Sequence, residues 1–214
     1  MLELLTPKVI LILKTMSKDL SKWYYTRELA KLSRVGVGTV SSEFNKLAKE
    51  GLVEQKTGGQ EKYYKLNLTS PRTRKLCELF ETDKREKLYK EKRRLAWVLE
   101  DFTKRVSDFA PEVQSVILFG SVARGQATPR SDIDILVIAP NSGEERFNEL
   151  MNAVDRLAAE VSGRYPVKLV PIVMMTKDFE KSIKDKKRFA ADILKDGIVL
   201  FGQERYYHML SRVI

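Results

Sequence analysis

The sequence is poor in the residues from which many metal and redox sites are built. Among 214 residues it has one cysteine, Cys77, and one histidine, His208. A single cysteine excludes an internal disulfide and most cysteine-based metal sites, and it fits a reducing cytoplasm. We interpret the lone histidine near the end of the chain as structural or exposed rather than catalytic. A functional site in this chain is therefore expected to consist of carboxylates, hydroxyls and cations.

Long apolar runs are also absent. The densest one in the N-terminal region spans only Val9 to Leu13, whereas a membrane helix requires roughly 18 apolar residues. The start of the chain lacks the basic residues of a signal peptide. These absences predict a cytoplasmic protein with no membrane partner.

Basic residues clearly outnumber acidic ones only in the first half of the chain. The formal net charge is +10, and residues 1–110 hold 24 Lys and Arg against 15 Asp and Glu. Residues 111–214 hold 15 against 14. This asymmetry is typical of a nucleic-acid-binding end joined to a more neutral domain, although basic residues can also serve only to solubilise a helical surface.

Residues 1–70 are predicted to form a small domain of three helices and a β-hairpin. The elements are a helix started by Thr6-Pro7, a short helix capped by Thr26, a helix from about Gly38 to Gly51, and strands at 52–56 and 61–66. This order resembles the winged helix-turn-helix of prokaryotic transcription regulators. The resemblance implies a module that binds double-stranded DNA, or one that serves protein contacts or dimerisation.

In that resemblance the third helix is the recognition helix, which enters the major groove. Its apolar stripe leaves short hydroxyls, an amide and lysines facing outward, and the hairpin adds two cations. The predicted DNA-contacting residues are Ser41, Ser42, Asn45, Lys46, Lys49, Lys56 and Lys62. Hydroxyls and amides can reach base edges, whereas lysines suit phosphates.

Residues 71–110 are predicted to form a helical connector. It has two apolar stripes separated by a highly charged stretch, residues 84–94, so one long helix and two helices meeting at a hinge both fit. A solvated spacer, a dimerisation helix and a further nucleic-acid contact all remain open. Apolar surface at Leu76, Leu79 and Phe80, together with the paired half-sites that DNA-binding dimers read, favours a homodimer.

The most informative stretch is residues 113–138. Two β-branched apolar runs read as buried strands, and between them lie Gly120-Ser121, ten residues, and then Asp132-Ile133-Asp134. Alternate side chains of a strand share a face, so the two carboxylates point the same way. Two adjacent carboxylates repel each other without a cation, and Mg²⁺ binds such groups together with substrate phosphates. Glycine allows a close approach of the backbone, and Ser121 with the following amides can donate to phosphate oxygens. The stretch therefore predicts a site for a metal–triphosphate.

This G-S-x10-D-x-D pattern between two strands resembles the motif of DNA polymerase β-like nucleotidyltransferases, in particular the minimal nucleotidyltransferases of prokaryotes. The resemblance spans roughly residues 95–203. It implies an α+β domain over residues 111–214, a mixed sheet flanked by helices. Asp132 and Asp134 would bind Mg²⁺ or Mn²⁺ and be the catalytic acids; Gly120, Ser121 and Arg124 would bind a nucleoside triphosphate such as ATP.

The remaining sequence fits this fold. A long amphipathic helix containing Phe147 and Val161 precedes a third strand over residues 167–174, and Thr176 can cap the next helix. Residues 197–202 resemble the closing segment of the minimal nucleotidyltransferases. The basic run Lys181 to Arg188 is interpreted as a solvated helix face, or as a contact to a nucleic acid or an acidic partner.

One position departs from the family pattern. The resemblance implies a third carboxylate on the strand after the long helix, and the matching position holds Lys168. A charged lysine cannot ligate Mg²⁺ and repels it. A two-metal mechanism is therefore not supported by the sequence, although Asp132 and Asp134 can still hold a single ion.

Two functions follow from these interpretations. The first is a DNA-binding enzyme that transfers a nucleoside monophosphate from a triphosphate to an acceptor hydroxyl, releasing pyrophosphate. The resemblance adds a small helical protein, related as toxin is to antitoxin, as a partner. The alternative is a transcription regulator whose nucleotidyltransferase fold is weakly active or inactive and acts as a nucleotide sensor or interaction domain.

Overall fold

The structure is a computed structural model that describes residues 5–128 and 131–214. The chain divides into two compact units, the first ending at Phe80 and including Ile214, the second spanning Glu81–Val213. The expectation drawn from the start of the chain falls partly on residues before Leu5 and so lies partly outside the described residues.

Between Leu5 and Ser70 the first unit contains three helices and a three-stranded sheet. Its elements are α1 (Pro7–Met16), β1 (Tyr24–Tyr25), α2 (Thr26–Ser33), α3 (Val37–Lys49), β2 (Val53–Gly58) and β3 (Glu61–Leu66). The strands pair antiparallel in the order β1-β3-β2. The core is built from the apolar stripes of the helices and the inner face of β3, including Leu13, Leu29, Phe44, Leu47 and Tyr64.

The predicted signals at two helix ends of this unit are confirmed. The Val9 amide donates to Thr6 Oγ1 at 3.4 Å, and Pro7 occupies the first position of α1. Helix α3 ends just before Gly51, whose φ of +71° is the left-handed conformation that glycine adopts at low cost.

The predicted capping roles of Thr26 and Thr176 are wrong, and for the same physical reason. Each threonine is the first residue of its helix, and its hydroxyl is drawn to the backbone of a neighbouring strand. Thr26 Oγ1 donates to the Lys62 carbonyl at 3.5 Å, and Thr176 Oγ1 donates to the Ala139 carbonyl at 2.8 Å. A tertiary hydrogen bond replaces the local one in both cases.

The connector consists of two helices, α4 (Pro71–Glu91) and α5 (Arg93–Phe109), separated at Lys92, whose φ of −131° and ψ of 64° are not helical. Of the apolar surface predicted there for dimerisation, Leu79 is exposed and Leu76 is half-buried, but Phe80 is buried. Phe80 is therefore not part of an exposed patch.

The second unit is organised around a four-stranded mixed sheet. Its further elements are β4 (Ser115–Phe119), α6 (Gly120–Ala123), β5 (Ile133–Ala139), α7 (Glu144–Arg164), β6 (Leu169–Met175), α8 (Thr176–Lys184), α9 (Arg188–Asp196), β7 (Ile198–Phe201) and α10 (Gln203–Leu210). The strand order is β6-β5-β4-β7, with β5 and β6 parallel and the other pairs antiparallel. Helices α5 and α7 pack over it, and the core includes Leu99, Phe102, Val116, Leu118, Ile135, Val154 and Val161.

Side chains cover parts of both outer edges of this sheet. On β6 the Leu169 amide donates to Ser162 Oγ at 3.0 Å. Pro171, two residues on, faces the same edge and has no N–H to offer. On β7 the Val199 amide donates to Glu81 Oε1 at 2.8 Å and Arg85 Nη1 donates to the Leu200 carbonyl at 2.7 Å; Lys84 donates to the carbonyl of Gly197, the residue just before β7.

Candidate active site

The turn between β4 and α6 brings the backbone against a carboxylate. Gly120 has a φ of +74°, and a Cβ built on it would lie 2.0 Å from Asp134 Oδ2. Phe119 pairs with Asp134 across β4 and β5, which fixes this approach. Glycine is strongly favoured here, because it lacks the Cβ and tolerates the left-handed conformation.

Asp132 and Asp134 flank the first residue of β5, Ile133. Ile133 is buried in the core while both carboxylates are half-buried at the end of the strand. Burial raises the pKa of Asp134 above its ordinary value, the Asp132 carboxylate raises it further, and Arg124 and Lys168 oppose the rise. A carboxylate that is costly to ionise next to another one is stabilised by a bound cation.

Lys168 lies beside these acids, as the sequence predicts. Its Nζ is 2.9 Å from Asp132 Oδ2, and the backbone places it there because the Ile133 amide donates to the Lys168 carbonyl at 2.8 Å. The Lys168 side chain is 71% exposed and that of Asp132 is 40% exposed. An ion pair this exposed contributes about 0–1 kcal/mol, so a divalent cation can displace the lysine at little cost.

Ser121 and Arg124 lie on or directly after α6, which packs against β5. Ser121 is half-buried and its carbonyl accepts from the Gln126 amide at 2.9 Å, which closes the turn. Arg124 is exposed, and its Nε donates to Gln126 Oε1 at 3.2 Å. The structure therefore brings together all five residues that the sequence predicts for nucleotide and metal binding.

The sequence did not single out two neighbours of this site. Gln126 orients Arg124, and Phe189 of α9 packs edge-on against Phe119 with 5.5 Å between ring centroids. Phe189 is far from the motif along the chain, so no local pattern indicates its position.

The donor set suits one divalent cation better than two. Within residues 5–128 and 131–214 no three Asp, Glu, His or Cys side chains cluster as metal ligands would. Two carboxylates at the end of a strand, next to a glycine turn, match the way Mg²⁺ binds through one or two carboxylates together with phosphate oxygens. The remaining ligands would come from a nucleotide and water.

In the first unit the predicted DNA-contacting residues fall into two groups. Ser42, Lys46, Lys49 and Lys56 are exposed and Ser41 is half-buried, whereas Asn45 and Lys62 contact each other. Asn45 Oδ1 accepts from Lys62 Nζ at 2.9 Å and from the Tyr64 hydroxyl at 3.3 Å. These two bonds attach helix α3 to strand β3, a role that the sequence did not indicate.

The comparison with family models matches a segment of the second unit. The family described as Nucleotidyltransferase domain matches residues 99–200. A protein of Methanocaldococcus jannaschii named "Putative protein adenylyltransferase MJ1305" is 30% identical over 118 residues, which cover 54% of this chain and 78% of that protein. A second protein of the same organism, "Putative protein adenylyltransferase MJ0604", is 33% identical over 95 residues, covering 44% and 85%.

A crystal structure of a "putative nucleotidyltransferase from Sulfolobus solfataricus" matches 58% of this chain and 88% of its own, with 22% identity and a TM-score of 0.35. In the part of the chain that the structure describes, no helix is both long and apolar enough to cross a membrane.

The family match and the two relatives show that this chain belongs to the nucleotidyltransferase domain family and is an enzyme of that class.

Proposed function

We propose that the second unit transfers a nucleoside monophosphate, with ATP as donor, to a hydroxyl of a protein acceptor. The observation that carries this proposal is the approach of Gly120 to Asp134, with Asp132 beside it at the same end of β5. The names of the two relatives support a protein as acceptor and adenylate as the group transferred.

In this proposal the residues of the site divide the work by chemistry. Asp132 and Asp134 would hold Mg²⁺ or Mn²⁺, which would supply positive charge to the triphosphate. Ser121 and the amides after Gly120 donate to phosphate oxygens, and Arg124 neutralises further negative charge. The acceptor oxygen attacks the α-phosphorus in line as the bond to pyrophosphate breaks. Lys168, a cation, cannot take the proton of the hydroxyl, and in this proposal solvent water carries that proton away.

Lys168 sets the metal requirement of this site. Its charge cancels that of one carboxylate, so a metal ion alone meets a net charge of about −1 from these three residues. We therefore expect weak binding of Mg²⁺ without nucleotide and stronger binding of Mg–ATP, whose own phosphates complete the ligand set.

Calorimetry of Mg–ATP binding tests the site. Asp134→Asn keeps the shape of the side chain but removes its charge, and we expect at least about a tenfold loss of affinity. Asp155→Asn, a change at an exposed aspartate on α7, is the matched control and should bind as the wild type does. Equal affinities in all three proteins would contradict the proposed metal–nucleotide site.

We further propose that the first unit is a winged helix-turn-helix that binds double-stranded DNA. The exposed side chains Ser42, Lys46 and Lys49 on α3, with Lys56 on the β2–β3 hairpin, support this proposal. Lys56 Nζ lies 4.3 Å from the centroid of the Trp23 ring, which holds this cation at the sheet surface. A module used only for protein contacts is the competing function.

Binding of the full chain to genomic DNA fragments, measured against salt, separates these two functions. Lysine–phosphate contacts release counterions, so affinity should fall steeply between low and physiological salt. Lys49→Gln should weaken binding to all sequences and reduce the salt slope by about one, and Ser42→Ala should change sequence preference instead. Absence of any DNA complex at low salt would leave the protein-contact function.

Because such modules read paired half-sites, we propose a homodimer. Leu79 on α4, with Trp97 and Phe109 on α5, is among the exposed apolar residues that the connector offers for this pairing. Light scattering at tens of micromolar should give twice the mass of the chain, and a strict monomer would contradict the proposal.

The alternative regulator, in which nucleotide binding persists but transfer is slow, is compatible with the same site because Lys168 replaces an acid. Radiolabel transfer from ATP to a co-expressed small helical protein separates the two: a labelled partner supports the enzyme, and tight ATP binding without label supports the sensor.

A further inference from the structure

The turn between α8 and α9 carries a concentrated positive charge. Four cations, Lys184, Lys186, Lys187 and Arg188, surround a single acid, Asp185, and all five residues are exposed. Within the described residues only Arg188 of these cations has an ion-pair partner, Asp192, at 3.9 Å. The charge of this basic turn is therefore largely uncompensated by neighbouring acids.

The basic turn lies next to the turn between β4 and α6. Phe189, the residue after Arg188, packs against Phe119, and Phe119 directly precedes Gly120. Helix α9 also packs against α6 and β4. A molecule bound to the basic turn would therefore be held beside Ser121 and the two aspartates.

The backbone holds the basic turn in a defined shape. The Asp185 amide donates to the Lys181 carbonyl and the Lys187 amide to the Ser182 carbonyl, both at 2.9 Å. Lys186 has a φ of 52°, a left-handed conformation that favours glycine. The chain thus presents an exposed lysine where a glycine would cost less.

We propose that the basic turn binds an acidic surface of the protein acceptor and holds the acceptor hydroxyl at the nucleotide. This inference rests on the proposed transfer to a protein. Charge complementarity identifies the partner: unpaired, exposed cations attract clustered carboxylates and steer their approach. The turn is compact, so it fits a local acidic cluster rather than a long polyanion, which would need a basic stripe.

The test uses the full chain and a random copolymer of glutamate and tyrosine as the acidic, hydroxyl-bearing probe. The test variant is Lys184→Gln/Lys186→Gly/Lys187→Gln, in which glycine suits the left-handed position. The matched control, Lys87→Gln/Lys90→Gln/Lys104→Gln, removes the same charge from exposed lysines on α4 and α5. Anisotropy measures binding of the copolymer, and calorimetry measures binding of Mg–ATP.

We expect the test variant to bind the copolymer at least about tenfold more weakly than both the wild type and the control, with affinity for Mg–ATP unchanged. An equal loss in the control would show non-specific attraction and overturn the proposal. A loss of Mg–ATP affinity instead would assign the basic turn to the triphosphate. Binding of an RNA oligonucleotide that depends on the turn, without copolymer binding, would make the partner a nucleic acid.

Copolymer binding and transfer are measured separately, so the two proposals fail in different ways. Copolymer binding that depends on the turn, without transfer of label, would contradict the proposed reaction and retain the docking surface. Transfer to the copolymer that is equal in the test variant and the wild type would retain the reaction and overturn the docking surface.

Discussion

Two turns of the second unit share a backbone conformation but differ in what they approach. Gly120, after β4, and Gly202, after β7, both have a φ of +74°, and a Cβ on either would lie 2.0 Å from an oxygen. At Gly120 that oxygen belongs to the Asp134 carboxylate, whereas at Gly202 it is the backbone carbonyl of Gln114. The Gly120 turn contacts a carboxylate of the candidate site, whereas the Gly202 turn contacts only backbone. A glycine with a positive φ and a close contact is therefore not by itself a sign of function.

The comparison predicts its largest effect at Gly202. In Gly202→Ala the methyl group meets rigid backbone in a left-handed conformation, and we expect a loss of about 3 kcal/mol in the free energy of unfolding. Chemical denaturation measures this loss. The Mg–ATP affinity of the molecules that remain folded should match that of the wild type. A variant as stable as the wild type would contradict the stabilising role assigned to Gly202.

Gly120→Ala should weaken nucleotide binding more than it weakens the fold, the opposite of Gly202→Ala. The methyl group displaces the Asp134 carboxylate, which can rotate, so the free energy of unfolding should fall by only about 1–2 kcal/mol. Because the displaced carboxylate is a proposed metal ligand, Mg–ATP affinity should fall by about a hundredfold, which calorimetry detects. Full nucleotide binding in a folded Gly120→Ala protein would separate this turn from the site.

Lys168→Asp tests how the charge beside Asp132 and Asp134 affects metal binding. Replacing a cation with a carboxylate should strengthen Mg²⁺ binding by about tenfold and accelerate transfer, with the size limited by the exposure of the pair. Lys168→Gln, which removes the charge without adding a ligand, should give a smaller gain. A slower Lys168→Asp enzyme would indicate that the lysine contributes to the reaction itself.

The smallest predicted effect is on how the stability of the protein depends on pH. Because the pKa of Asp134 is raised in the folded protein, its ionised form opposes folding, and this cost is fully present above the raised pKa. As the pH falls through that pKa toward the ordinary value of an aspartate, the cost disappears. Asp134→Asn should therefore raise the melting temperature at pH 7 by roughly one or two degrees, and the difference should vanish in acid.

Local patterns predicted most of the elements, because burial on one face sets the apolar spacing of α3 and α7, and burial on both faces gives β5 a continuous apolar run. The sequence also indicated Lys168 beside Asp132, because that position follows from the strand order of the resembling family. Thr26 and Thr176 were misassigned, since hydrogen bonds to distant strands decide their roles. The contacts of Phe189 with Phe119 and of Asn45 with Lys62 join residues far apart in sequence, and no periodicity indicates them.

The covered edges of the sheet have a consequence for the biosynthesis of the protein. The ribosome makes Glu81, Lys84 and Arg85 between 113 and 118 residues before the backbone groups that they contact in β7 and at Gly197 just before it. Likewise Ser162 emerges before Leu169, whose amide it accepts. On both sides the covering residue is thus synthesised before the strand it protects, so each strand edge can be covered as soon as it leaves the ribosome, before it meets a neighbouring nascent chain.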